Sequence, residues 1–112
     1  MKLLELTGKL NELLEIENFE DDSNNGLQVG EDKDIKRVGF GVDGDLDTFK
    51  KAKENGCDAL IVHHGISFND SLKYLTGNNF QRVNFLLRNN LSLLAYHLPL
   101  DAHLRLGHNA QI

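Results

Sequence analysis

The chain has 112 residues, 40% hydrophobic and 26% charged, which suits one soluble globular domain and excludes disordered and fibrous classes. A net charge of -5 and a pI near 5.4, with Lys and Arg scattered singly or in pairs such as Lys50-Lys51, argue against nucleic-acid binding and against a polybasic membrane patch. No run approaches the ~20 apolar residues of a transmembrane helix.

Leu3, Leu6, Leu10, Leu13 and Leu14 recur at helical spacing with Glu5, Lys9 and Glu12 opposite, which predicts an amphipathic first helix ending near Glu15. An acid at Glu5 interrupts any leader-like apolar stretch, so no signal peptide and a cytoplasmic location are expected. The segment from Glu17 to Asp34 turns polar and acidic around Asn25-Gly26, a strong turn dipeptide, with Leu27-Gln28-Val29 as a short strand candidate.

Arg37 to Asp43 reads as the first core strand, and its Gly39 and Gly41 imply close backbone approach or a bulge. Asp45 is placed to cap a helix with Leu46, Phe49, Ala52 and Lys53 along one face, and Gly56 to close it. Ala59 to Val62 is the next strand. The lone Cys57 just before it excludes an internal disulfide and fits a small buried residue in a reducing compartment. A second crossover runs from Asp70 to Asn90, with Phe80, Val83, Leu86 and Leu87 at helical spacing, into a strand from Leu91 to Tyr96. The expected fold is layered α/β/α with a mainly parallel sheet whose three core strands are buried on both faces. Leu106 to Ile112 looks like the start of a helix cut short.

Two apolar runs stop on histidines: Ala59-Leu60-Ile61-Val62 on His63-His64-Gly65, and Leu91 to Tyr96 on His97-Leu98-Pro99-Leu100-Asp101. If both are parallel strands, His63, His64, His97 and Asp101 cluster at one sheet edge, where open α/β folds build sites. Imidazoles with a carboxylate suit a divalent metal such as zinc, manganese or iron. Adjacent strand residues point to opposite faces. His63 and His64 therefore share one ion only if Gly65 lets the strand break, or else each serves a different ion of a close pair. Pro99 would stiffen the loop holding Asp101, and Asp43 would project onto the same edge as an acceptor for a histidine N–H. His103 and His108 fit solvated or capping roles. Ser67, Ser71 and Ser92 lack the glycine-flanked elbow of a serine nucleophile, and no phosphate-binding glycine pattern occurs.

Asp22-Ser23-Asn24-Asn25-Gly26-Leu27-Gln28-Val29-Gly30, Ile61 to Gly65, Tyr96 to His103 and Leu106 to Gln111 together resemble the NIF-three-like family, also catalogued as GTP cyclohydrolase type-two homologues. The resemblance implies a dinuclear metal centre of two divalent ions with His63, His64, His97 and Asp101 as ligands. It also implies two similar intertwined halves and a ring-shaped homo-oligomer, commonly a hexamer. It makes the chain a single N-terminal half domain over residues 1–112 that ends before a His-x-x-x-Glu completing the site in the family, either a truncated half or a short form whose missing ligands come from water, substrate or a second subunit, and His108 stands where the family more often has Asn. Asp22, Asn25 and Gln28 would line the approach to the metals and contact a small-molecule or nucleotide substrate. The expected activity is that of a metal-dependent hydrolase or cyclohydrolase. The alternative is a non-catalytic metal-binding scaffold or interaction protein.

Overall fold

A computed structural model describes residues 1–103. The elements run α1 (Leu3–Leu13), β1 (Gly26–Val29), β2 (Val38–Asp43), α2 (Leu46–Glu54), β3 (Ala59–His64), α3 (Gly77–Arg88) and β4 (Ser92–Ala95), with a 3-10 turn at Ile16–Asn18. The strands form one sheet in the order β1-β4-β3-β2. The β2–β3 and β3–β4 pairs are parallel, with Asp43 opposite His64 and Val62 opposite Ala95, so their C-terminal ends share one edge.

Alternation along the strands builds two cores. Leu60, Val62, Leu93 and Ala95 face α2 and α3, where Phe49, Ala52 and Leu86 are buried. Ala59, Leu94 and Tyr96 pack on the other face with Leu3 and Leu14 from the α1 region. The three-layer α/β/α arrangement follows from that period of two. Tyr96 also ties the layers together, because its hydroxyl donates to Asn11 Oδ1 of α1 at 2.7 Å.

Several local expectations hold. The Asp45 side chain accepts from Thr48 N–H at 2.8 Å and so caps α2, while Gly56 closes it at φ +73°. Gly39 and Gly41 serve close approach: a β-carbon would lie 2.9 Å from Cys57 Sγ at the first and 2.8 Å from Thr48 Cγ2 at the second. Cys57 is free and buried.

Others are corrected. The strand β2 is an edge strand, not a doubly buried one, and Phe40 and Val42 are 79% and 65% exposed. On α2, Lys53 lies outside the apolar face and donates to Asn89 O. On α3, Leu86 is buried and Val83 packs beside it, but Phe80 and Leu87 are exposed. The apolar stripe marked by helical spacing is wider than the part the sheet covers. The helix expected after Leu106, and His108 within it, lie outside the described residues.

The direction of β1 matters most for the site. It pairs antiparallel to β4, with Gly26 opposite Ala95, so its first residue lies at the edge where the parallel strands end. The acidic loop before it, residues 21–25, is thereby delivered to the histidines.

Candidate metal centre

The sheet edge gathers three imidazoles. One ring nitrogen from each of His63, His64 and His97 falls within 4.8 Å of the others. Ring centroids are 4.5 Å apart for His63–His64, 4.8 Å for His63–His97 and 5.3 Å for His64–His97. The first two residues remain in β3, so no strand break precedes them. They converge because they are its last two residues, where both side chains can curl over the edge. Gly65 acts differently from expectation. A β-carbon there would lie 2.2 Å from Gln28 Oε1 and 2.6 Å from Ala95 Cβ, so glycine is required by close packing.

Each imidazole faces a carboxylate. His64 Nδ1 is 3.0 Å from Asp43 Oδ1, in the partner role expected for Asp43 at the end of β2. His63 Nε2 is 2.9 Å from Asp101 Oδ1. His97 Nδ1 is 3.1 Å from Asp21 Oδ1. Asp101 does not sit in a loop: residues 98–103 are helical, and its N–H donates to His97 O at 3.2 Å. Pro99 occupies the first turn of that helix, where its missing N–H costs nothing. His103, in the same helical segment, is exposed. The Phe68 and His97 rings lie 6.0 Å apart between centroids in a T-shaped arrangement.

Sequence reasoning misses Asp21, which is one acid in the run Glu20-Asp21-Asp22. Its side chain is only 4% exposed. Burial disfavours its ionised form, but N–H donors from Leu98, Ser23, Asn25 and His97 outweigh that and hold its pKa at about 2. An ionised Asp21 can only accept, so the His97 Nδ1 donates, and in the neutral ring that places the lone pair on Nε2. The available signal is the polar stretch itself, an acid followed at short spacing by Ser23 and Asn25.

The three loop residues expected to meet substrate have distinct placements. Gln28 is committed to the scaffold. Its Oε1 accepts from Ile66 N–H at 2.9 Å and Ser67 N–H at 3.1 Å, and its Nε2 donates to Asn24 O and Ser67 O. Asn25 bridges the loop to the site, with Oδ1 accepting from His97 N–H at 2.9 Å and Nδ2 donating to Asp21 Oδ2 at 3.1 Å. Asp22 has an exposed side chain, and its carbonyl accepts from Asn69 N–H.

The description Duf34/NIF3 (NGG1p interacting factor 3) matches residues 1–112. The chain belongs to the Duf34/NIF3 family. A protein of Archaeoglobus fulgidus named GTP cyclohydrolase 1 type 2 homolog is 46% identical over 112 residues, covering 100% of this chain and 45% of the relative. One of the same name from Chlamydia trachomatis is 42% identical over 113 residues, again covering 45% of the relative. The chain thus spans about half the length of these curated relatives.

Among solved structures, one titled protein ybgI, unknown function, superposes with a TM-score of 0.86 at 36% identity, covering 92% of this chain and 42% of that one. The protein TTHA1606 from Thermus thermophilus gives 0.85 at 38% identity, covering 90% and 42%. Reduced HcgD from Methanocaldococcus jannaschii gives 0.79 at 32%, covering 90% and 41%. Among the described residues, no helix is long and apolar enough to cross a membrane.

Proposed function

We propose that this Duf34/NIF3 chain supplies part of a dinuclear metal centre and that the centre serves a metal-dependent hydrolase, in keeping with the cyclohydrolase name of its relatives. The observation that carries the reading is the convergence of His63, His64 and His97 ligand atoms within 4.8 Å at the strand ends.

The donor set fits a borderline divalent ion such as zinc, manganese or iron. With Asp21 and Asp43 on the Nδ1 atoms of His97 and His64, the Nε2 atoms of both rings are left for the ions. His63 Nε2 and Asp101 Oδ1, 2.9 Å apart, would both be donors available to hold an ion at this edge. When bound, the ions supply Lewis acidity that makes water nucleophilic near neutral pH and polarises a substrate. The chain's own residues hold and orient that chemistry: His63, His64, His97 and Asp101 as ligands, Asp43 and Asn25 as supports. Asp22, the exposed carboxylate of the same loop, would meet a small-molecule or nucleotide substrate. The remaining ligands would come from outside these residues, through a homo-oligomer or a longer chain, and the buried, unpaired Cys57 accords with a cytoplasmic setting.

A second reading, a metal-binding scaffold without catalysis, is favoured by one feature. Asp21, Asp43 and Asp101 are each bonded to an imidazole, so none of these three stands free as a general base. Turnover separates the two. The metal-loaded protein is expected to hydrolyse GTP or a simple phosphoester, and His97→Ala to lose that activity. Metal binding without turnover of either substrate would favour the scaffold.

A further inference from the structure

We propose that Asp21 is a positioning residue that sets two candidate ligands at once, His97 through its ring and Asp101 through the helix that carries it. The proposal rests on the metal-centre reading above and extends it to a residue that touches no ion.

The Asp21 side chain is nearly inaccessible, and both oxygens are filled by N–H donors. Oδ1 accepts from His97 Nδ1 and from Ser23 N–H, each at 3.1 Å. Oδ2 accepts from Leu98 N–H at 2.9 Å and from Asn25 Nδ2 at 3.1 Å. The Leu98 N–H is one of the donors that the first turn of a helix leaves unpaired, so this bond caps helical residues 98–103. Asp101 lies in that turn and bonds back to His97 O, so a capped turn fixes where its carboxylate stands. Asn25 completes the clamp by accepting the backbone N–H of His97.

A simple helix cap would need only the Leu98 bond. The additional bond to the imidazole marks a second task, choice of tautomer, because a ring held by Nδ1–H presents Nε2 as its lone pair. Asparagine cannot replace the carboxylate. Four donors converge on Asp21, and an amide offers an acceptor on one side only, so either the ring or the helix cap would face an N–H.

The test uses long-range ¹H–¹⁵N correlation of the imidazole nitrogens in the metal-free 112-residue chain, together with calorimetric titration by Zn²⁺. Wild-type His97 is expected as the Nδ1–H tautomer. Asp21→Ala is expected to relax it to a mixture, and Asp21→Asn to shift it or to lose the cap, seen as loss of the amide signals of residues 98–103. Zinc affinity should fall by roughly 10–100-fold in both.

A wild-type His97 protonated at Nε2 overturns the proposal without recourse to any variant. So does a tautomer ratio unchanged in Asp21→Ala. If wild type takes up no zinc while His97 still changes tautomer in Asp21→Ala, the positioning of the ring stands and the metal-centre reading fails.

Discussion

His63 Nε2 and Asp101 Oδ1 lie 2.9 Å apart although β3 carries one and the turn after β4 the other. The contact joins the two strand-end motifs that are separate in sequence. It is an imidazole–carboxylate pair, and under the proposed metal centre the same two side chains would serve as ligands. Partial exposure of both side chains, 23% and 45%, leaves a route for an ion to enter.

Asp43 supports His64 from the neighbouring strand through its Oδ1, and its side chain is 61% exposed. Asp43→Ala should therefore cost less than ~0.5 kcal/mol of stability. It should nevertheless weaken metal binding by roughly 10–100-fold, since the His64 ring loses its orienting acceptor. Calorimetric metal titration alongside thermal melting separates these two effects.

Gln28→Ala is a test of scaffold rather than chemistry. It leaves the N–H groups of Ile66 and Ser67 without their acceptor beside a tightly packed Gly65. A loss of about 1–3 kcal/mol is expected from urea unfolding. An unchanged midpoint would mean the loop re-pairs with water and the side chain is free for another role.

Much of this layout is legible in the sequence because strand-end position and composition coincide. The apolar runs ending on His63-His64 and His97, and the cap at Asp45, depend on neighbours in the chain. Asp21 is different. Its partners His97 and Leu98 lie 76 and 77 residues away, and they meet it only because β1 runs antiparallel to β4. Nothing local in a four-residue strand states its direction. The exposure of Phe40 and Val42 is hidden for a similar reason, since an apolar run does not reveal whether its strand lies at the centre or the edge of a sheet.

Asp58 gives the acid limb of stability a specific origin. Its carboxylate accepts from Lys36 N–H at 2.8 Å and Arg37 N–H at 3.0 Å, and these bonds hold its pKa below the ordinary 3.8. A group with a depressed folded pKa contributes fully above its unfolded value, and that contribution is lost as pH falls through the folded one. Wild type and Asp58→Asn should therefore differ in melting temperature at about pH 6 and converge as pH falls below the ordinary carboxylate range and through the depressed folded pKa. A gap that stays constant across that range would assign the difference to packing.

Metal stoichiometry tests the central claim most directly. Elemental analysis of the purified chain, with His64→Ala and Asp101→Ala beside it, is predicted to find at least one divalent ion per wild-type chain and a clear loss in both variants. Less than one ion per chain, unchanged by either substitution, would contradict a metal centre at this edge.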